Sequence, residues 1–219
     1  SYTAKKTIDK ATGEVVKTEW SANQDFKDVY SPVVKGYTAD KKVVSDKNVA
    51  HDAQDIKAVV TYSPDEQKAT VTYVDDTTGK VLKSDSLVGV TNKDSGYTAK
   101  GSISGYINLG YKLVKDETEG KSIVFDNDDS SDQAYKVDLA HDYITVTPEE
   151  PGKPGEPINP DANGPKYPGD TDVKGLTDTV NRTITYKMSD GSKAPDAVKD
   201  ALSYTAKKTI DKATGEVVK

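Results

Sequence analysis

Cysteine is absent from this chain of 219 residues, and histidine occurs only twice. The lack of cysteine excludes disulfide scaffolds, thiolate metal sites and cysteine nucleophiles. No apolar run approaches the about 18 residues that a membrane-spanning helix needs, so we expect no membrane insertion. Hydrophobic residues make up only 34% of the chain, and charged residues make up 30%. Such a composition can bury a small core in each of several modules, but not one large core.

A cluster of positive charge is also missing. The chain carries 30 basic and 36 acidic residues, which gives a formal net charge of −6. The two kinds are interspersed, whereas binding to nucleic acid or anionic lipid needs clustered lysine and arginine. We therefore expect no nucleic-acid partner.

Signatures of catalysis are missing as well. No GxSxG, P-loop, GxGxxG or HExxH pattern occurs. His51 and His141 both lie in the sequence Ala-His-Asp. Adjacent residues on a strand point to opposite faces, so neither histidine forms a dyad with the aspartate that follows it. We expect a structural role for both histidines and no enzymatic activity.

The most informative feature that is present is an exact duplication. Residues 1–17, SYTAKKTIDKATGEVVK, recur unchanged as residues 203–219. We therefore expect the chain to cover about one period of a tandem array, with the start of the next copy attached. Repeated arrays usually bind weakly through each unit and strongly through many.

Shorter patterns recur inside the period and predict β structure. The strand opening T-[VI]-T-Y occurs at residues 70–73 and 183–186, and D-x-x-T-G-x-V-x-K occurs at residues 9–17 and 75–83. Glycine in the second pattern, and in Asp190-Gly191, predicts hairpin turns. Between these β regions, residues 148–177 hold seven of the ten prolines. That density predicts an extended, semi-rigid spacer.

Two short helices are expected among the strands. Ser21 can cap a turn of helix that runs to Tyr30, where Ser31-Pro32 would end it. Residues 195–202 begin with proline and place apolar side chains at helical spacing. A mostly antiparallel or mixed sheet with one short helix is the simplest solution for each module of about 80 residues.

These patterns resemble a known family. Residues 71–89, VTYVDDTTGKVLKSDSLVG, and residues 135–148, YKVDLAHDYITVTP, resemble the MucBP module of lactic-acid-bacterial surface adhesins. TITYKMSDGSKAP (183–195), TIDKATGEVVKTEW (7–20), SPVVKGYTAD (31–40) and AVVTY (58–62) resemble the second module type of the long Mub repeat. The resemblance covers almost the whole chain. It implies a mainly β or α+β fold with two ubiquitin-like β-grasp modules in an elongated arrangement.

The resemblance also implies how the modules divide the chain. Residues 66–147 would form a complete MucBP-like module, and residues 148–177 the spacer. Residues 1–63 would form a Mub-type module that lacks its first strand, and residues 178–219 would supply the first strand and hairpin of the next copy. We expect the segment 183–188 to complete residues 1–63, either by folding back or by swapping into another molecule.

Aromatic side chains are the candidate ligand-binding residues. Thirteen tyrosines accompany only two phenylalanines and one tryptophan, and tyrosine suits half-wet surfaces that can stack on sugars. The candidates are Trp20, Tyr37, Tyr97 and Tyr106, each of which could equally serve in sheet packing.

One acidic run could hold a metal ion. Its four aspartates are Asp126, Asp128, Asp129 and Asp132. Calcium binds several oxygen ligands, but the glycine and terminal glutamate of an EF-hand loop are lacking. We expect a solvated turn and no cofactor, with a calcium ion as the alternative.

The sequence thus predicts a cell-surface adhesion repeat that binds host mucin glycoproteins and gains strength from tandem copies. The family resemblance places it outside the cell, attached to the cell wall through an anchor beyond these residues. Two alternatives remain open. One is an immunoglobulin-binding module that acts through a sheet edge, and the other is a structural stalk that binds neither ligand.

Overall fold

The computed structural model describes all residues 1–219 and is mostly β. The chain forms two units. The first contains Ser1–Lys68, Val88–Lys93 and Val124–Asp132, and the second contains Ala69–Leu87, Asp94–Ile123 and Gln133–Lys219. The module boundaries and the ubiquitin-like assignment given above stay predictions.

The first unit is built from short antiparallel pairs. β1 (Ala4–Ile8) pairs with β2 (Val15–Trp20), β3 (Val29–Tyr30) with β5 (Val43–Val44), and β4 (Tyr37–Ala39) with β6 (Tyr62–Pro64). Every residue of β1 and β2 is exposed. The helix predicted from Ser21 to Tyr30 is wrong, because this stretch is taken up by an isolated bridge at Gln24 and by β3.

The second unit contains a mixed four-stranded sheet and one helix, as predicted for a module. The strands lie in the order β8 (Lys80–Val90), β7 (Glu66–Asp75), β10 (Gln133–His141) and β9 (Tyr111–Asp116). β7 and β10 are parallel, while β10 and β9 are antiparallel. The helix, α1 (Lys100–Asn108), lies between β8 and β9 along the chain. The predicted turn at residues 75–79 joins β7 to β8, which confirms that hairpin.

The core of this sheet follows from the alternation of β7. Along that strand buried and less buried residues alternate, so that one face points into the core. Val71 and Tyr73 of β7, and Val137 and Leu139 of β10, are fully buried. Ile103 of α1 is 8% exposed, so the helix contributes to this core through its middle turn.

A second, smaller core lies in the same unit. β11 (Tyr143–Val146) pairs antiparallel with β14 (Lys208–Asp211), with Ile144 opposite Ile210. Val146, Leu176 and Ile210 form the buried cluster, and the partly buried Ile144, Ile158 and Tyr167 pack against it. The 3-10 helix Lys174–Leu176 contributes Leu176.

The proline-rich segment differs from the extended geometry that we predicted. It doubles back on itself: the Ile158 N–H donates to the carbonyl of Pro165 (2.9 Å), and the N–H of Tyr167 donates to the carbonyl of Glu156 (3.0 Å). Its apolar side chains then pack on the smaller core. Burial of Ile158 and Tyr167 therefore outweighs the extended preference of the prolines around them.

The C-terminal segment forms strand pairs within the second unit. β12 (Thr177–Ile184) pairs with β13 (Val198–Thr205) in a two-stranded sheet joined through the turn at Gly191. The helix predicted over residues 195–202 is wrong, because this stretch forms most of β13. Thr183 and Ile184 pair with Lys199 and Val198 of β13. Completion of residues 1–63 by residues 183–188, by folding back or by swapping into another molecule, stays a prediction.

Candidate functional site

A groove in the second unit is a candidate ligand site. Its volume is about 600 Å³, within the range of about 300–1,000 Å³ typical of small-molecule sites. Charged, polar and aromatic side chains share its wall. The groove is lined by Lys83, Ser102, Gly105, Tyr106, Asn108, Leu109, Pro160 and Asp161.

The aromatic wall of the groove is Tyr106, one of the predicted candidates. Its half-buried ring packs against Tyr73, with ring centroids 5.8 Å apart, and against Tyr111 at 5.7 Å in an edge-to-face arrangement. Burial raises the pKa of Tyr106, so its hydroxyl stays neutral at physiological pH. Gly105 next to it carries no side chain, which leaves the approach to the ring open.

A polar network connects the groove residues Lys83 and Ser102 to side chains of the sheet. The Lys83 Nζ atom lies 3.2 Å from Ser102 Oγ and 2.9 Å from Asp85 Oδ2. The Tyr97 hydroxyl donates to the same Asp85 oxygen at 2.6 Å and lies 2.7 Å from the hydroxyl of buried Tyr73. These contacts fix the position of the lysine ammonium at the edge of the groove.

The charges of this network follow from its contacts. The hydrogen bond to Asp85 raises the pKa of Lys83, so the ammonium stays charged. Burial alone would raise the pKa of Asp85, but hydrogen bonds from Tyr97 and Lys83 outweigh it and the pKa is lowered. Burial, followed by the hydrogen bond to Asp85, raises the pKa of Tyr97 far above its ordinary value. Tyr97 is therefore a neutral donor inside the network.

The four aromatic candidates occupy different environments. Tyr97 and Tyr106 both pack around Tyr73 in the second unit. Trp20 and Tyr37 belong to the first unit. Trp20 is 47% exposed and stacks on His51, with ring centroids 4.2 Å apart. The hydroxyl of Tyr37 accepts a hydrogen bond from Asn92 Nδ2 at 3.2 Å.

The carboxylates of the acidic run accept hydrogen bonds both within their loop and from residues outside it. Asp126 and Asp128 accept hydrogen bonds from backbone N–H groups two residues further on. Asp129 accepts from Gln67 Nε2 at 2.6 Å and from the Gly36 N–H at 3.2 Å. No group of three or more histidine, cysteine, aspartate or glutamate side chains is arranged to hold a metal ion. Calcium binding, which would add Asp132 as the fourth carboxylate, stays the alternative to the expected solvated turn.

The two histidines, in the same local sequence, occupy different environments. His51 is exposed. His141 is 6% exposed, and its Nδ1 and Nε2 atoms lie 2.5 Å from Asp211 and 3.1 Å from Asp75. We call Asp75, His141 and Asp211 the histidine joint. Both carboxylates can accept from the ring only when both ring nitrogens carry a proton.

Of the residues that line the groove, only Tyr106 was a candidate from the sequence. Lys83 ends one of the D-x-x-T-G-x-V-x-K patterns, which was the available signal for it. Ser102 and Asn108 lie on α1, whose position along the chain the sequence did not predict. Pro160 and Asp161 were assigned to an extended spacer, so nothing placed them beside Tyr106.

Comparison with known proteins covers both units. A mucin-binding domain family model matches residues 67–141, and a Muc B2-like domain model matches residues 1–66 and 171–219. The chain is similar to the solved type 2 repeat of the mucus-binding protein MUB from Lactobacillus reuteri. That pair shares 31% identity over 69% of this chain and 72% of the other, with a TM-score of 0.41.

A second solved structure is also similar. The crystal structure of Mub-RV shares 27% identity over 70% of this chain and 69% of the other, with a TM-score of 0.48. Among proteins with curated descriptions, none matches significantly. In the structure, no helix has the length and apolar character needed to cross a membrane.

Proposed function

This chain belongs to the family of mucin-binding repeats, and we propose that it is a cell-surface adhesion repeat that binds the sugar chains of mucin glycoproteins. The binding site in this proposal is the groove beside Tyr106. The observation that supports it most strongly is the combination of one aromatic wall with hydrogen-bonding side chains of both charges along a single groove.

The chemistry of the groove suits a sugar. One face of a pyranose ring carries C–H groups and packs well on an aromatic ring such as Tyr106. Its hydroxyl groups need donors and acceptors in fixed places. Lys83 supplies a charged donor, Asp161 a charged acceptor, and Asn108 both an amide donor and a carbonyl acceptor.

We expect each site to bind weakly. The groove is shallow enough to leave much of a ligand in water, and a single sugar contributes few contacts. The duplicated seventeen residues indicate tandem copies, and linked copies raise the overall strength by orders of magnitude without any new contact. Mucins present many sugar chains, so both partners are multivalent.

No catalytic step is part of this proposal. Both ring nitrogens of His141 are occupied by carboxylates in a buried place, and His51 stacks on Trp20. We place the repeat outside the cell, where mucins occur, on the surface of the organism that makes it.

The test is binding of the whole chain to immobilised mucin, before and after enzymatic removal of the sugars, with immunoglobulin alongside. The variant Asn108→Ala/Asp161→Ala removes two polar groups from the groove without touching the core. Each lost hydrogen bond is worth about 1 kcal/mol, so we expect mucin binding to fall by about tenfold or more. The matched control is Asn181→Ala, on the exposed strand β12, which should bind as the unaltered chain does.

The outcomes separate the proposal from its alternatives. Binding that disappears with the sugars and weakens in the groove variant supports it. Binding that survives removal of the sugars, or occurs mainly on immunoglobulin, places recognition on a protein surface and contradicts the groove. Absence of binding to either ligand leaves the stalk as the function of this chain.

A further inference from the structure

The two copies of the duplicated segment form the same hairpin. In the N-terminal copy the Asp9 N–H donates to the Glu14 carbonyl at 2.9 Å, and in the C-terminal copy the Asp211 N–H donates to the Glu216 carbonyl at 2.9 Å. The glycine of each turn has a positive φ, 74° at Gly13 and 80° at Gly215. The hairpin is therefore set by local sequence and does not depend on what surrounds it.

The surroundings of the two copies differ completely. Ile210 is fully buried, whereas Ile8, the same residue of the other copy, is 55% exposed. Asp211 is 6% exposed and contacts His141, while Asp9 is exposed. The residues that begin the turn are buried in the C-terminal copy and open to solvent in the N-terminal copy.

The difference arises at one strand edge. In the C-terminal copy, β14 has a neighbour on each side. On one side Ile210 forms a bridge with Val217 of the same hairpin, and on the other side β14 pairs with β11. β1 of the N-terminal copy has its hairpin partner β2 on one side, with Ile8 opposite Val15 in the equivalent register. β1 belongs to a two-stranded sheet and pairs only with β2. Its other edge, which corresponds to the edge of β14 that pairs with β11, therefore has no strand beside it.

We propose that this open edge of β1 is a docking surface for the β11 edge of a second copy of this chain. Ile8 would take the place of Ile210 in the smaller core, and Asp9 would take the place of Asp211 against His141 of the second copy. An edge strand with unpaired backbone groups and an exposed isoleucine is built for such pairing. The proposal goes beyond mucin binding and does not depend on it.

The contacts that would form are those that the C-terminal copy already makes. The Lys212 N–H donates to the carbonyl of Asp142 at 2.8 Å, and its ammonium pairs with the Asp142 carboxylate at 2.6 Å. Asn159 donates to the Lys212 carbonyl at 2.7 Å. Lys10 occupies the same position in its hairpin as Lys212, so it can make the same contacts with Asp142 and Asn159 of a second copy.

In the unaltered chain the C-terminal copy occupies the β11 edge. Being on the same chain, it competes at an effective concentration of the order of millimolar. The unaltered protein should therefore be mainly monomeric at micromolar concentration. Docking by a second molecule requires that the internal copy be weakened.

Four proteins test the proposal by analytical ultracentrifugation over a range of concentrations. Ile210→Asp disables the internal copy and opens the β11 edge. Ile8→Asp disables the docking copy, the double variant disables both, and the unaltered chain is the reference. We expect a mass that rises with concentration only for Ile210→Asp. A mass that stays monomeric for Ile210→Asp, or that rises equally for the double variant, overturns the proposal.

The Ile210→Asp substitution could also unfold the region around β11, so a second measurement tests whether the folded state of this variant binds the segment. A synthetic peptide with the sequence of residues 1–17 is added to Ile210→Asp during thermal melting, and its Ile8→Asp form is the control. A segment that binds the folded state raises the melting temperature as its concentration rises. We expect the shift for the unaltered peptide alone. No shift, or an equal shift with the control peptide, contradicts docking at the β11 edge.

Discussion

The duplication provides a matched pair of substitutions, Ile8→Ala and Ile210→Ala, in which the residue and its sequence neighbours are identical. Ile210 is fully buried against Val146 and Leu176, whereas Ile8 is 55% exposed. The two variants therefore lose the same atoms from different environments. Any difference between them measures the contribution of the partner strand and of the small core, not that of local propensity.

The magnitude follows from burial. Replacing isoleucine by alanine removes three side-chain carbons, which at about 0.8 kcal/mol for each buried group gives about 2.4 kcal/mol. The cavity left at Ile210 adds to this, so that the free energy of unfolding should fall by about 2–5 kcal/mol. At Ile8 about half of the side chain is already in water, and no closed cavity forms. The loss there should be about 1 kcal/mol or less.

Urea unfolding followed by tyrosine fluorescence measures the free energies, and hydrogen exchange assigns the loss to a region. Because two units can unfold separately, the transition that moves must be identified. For Ile210→Ala we expect faster exchange at the amides of β11, and for Ile8→Ala no change there. Equal losses in the two variants, or a loss for Ile210→Ala without faster exchange in β11, would refute the assignment of Ile210 to the small core.

Three further predictions concern the ionisable groups. His141→Ala should lower the free energy of unfolding by about 3–5 kcal/mol, because it leaves two buried carboxylates without their histidine partner. The control His51→Ala should lower it by less than about 1 kcal/mol. Equal losses for the two variants in urea unfolding would contradict the histidine joint. Burial raises the pKa of Asp142, but the hydrogen bond from Lys212 outweighs it and the pKa is lowered. Its contribution to stability is therefore complete above the ordinary pKa of about 3.9 and is lost as the pH falls through the lowered value. Lys212→Met should remove this part of the acid dependence, and an unchanged dependence would count against the pair. Melting should be the same with calcium as with EGTA, because Asp126, Asp128 and Asp129 already accept hydrogen bonds from protein groups, and a shift would establish a calcium site.

The turns were the part of the fold that the sequence predicted best. An aspartate followed by Thr-Gly at fixed spacing accepts hydrogen bonds from the backbone of its own turn, and the glycine adopts the positive φ that the turn needs. Asp75 accepts from the N–H of Thr77 at 2.9 Å, and Asp9 from the N–H of Ala11 at 2.7 Å. These are contacts between near neighbours in sequence, so no distant partner is needed to determine them.

The helices were the part that it predicted worst. The helix that forms, α1, has the sequence KGSISGYIN, in which glycine, serine and β-branched residues all disfavour helix. Its stability comes from burial of Ile103 and from packing of Tyr106 on Tyr73. The stretch 195–202 has better helical residues, but pairing with β12 makes it a strand. Tertiary contacts outweighed local propensity in both places.

The groove was only partly predictable for the same reason. Tyr106 was a candidate because of its residue type, but its neighbours come from three segments distant in sequence: β8, α1 and the doubled-back segment around Pro160. A pattern search along the chain cannot bring these segments together. The position of Asp161 depends on the backbone hydrogen bonds of the doubled-back segment and on the packing of Ile158 and Tyr167 on the smaller core.

The duplicated segment separates what local sequence determines from what tertiary packing determines. Both copies form the same turn, because the turn depends on residues within it, but its isoleucine and aspartate are buried only in the copy beside β11. Burial of these residues is therefore determined by the pairing with β11 and not by the sequence of the seventeen residues. In a tandem array, each such hairpin would complete a core that begins in the preceding repeat, and the stability of every repeat would then contain a term from its neighbour. A repeat with a neighbour on the β1 side should consequently be more stable than the same repeat alone, by the free energy that Ile210 and the histidine joint contribute here.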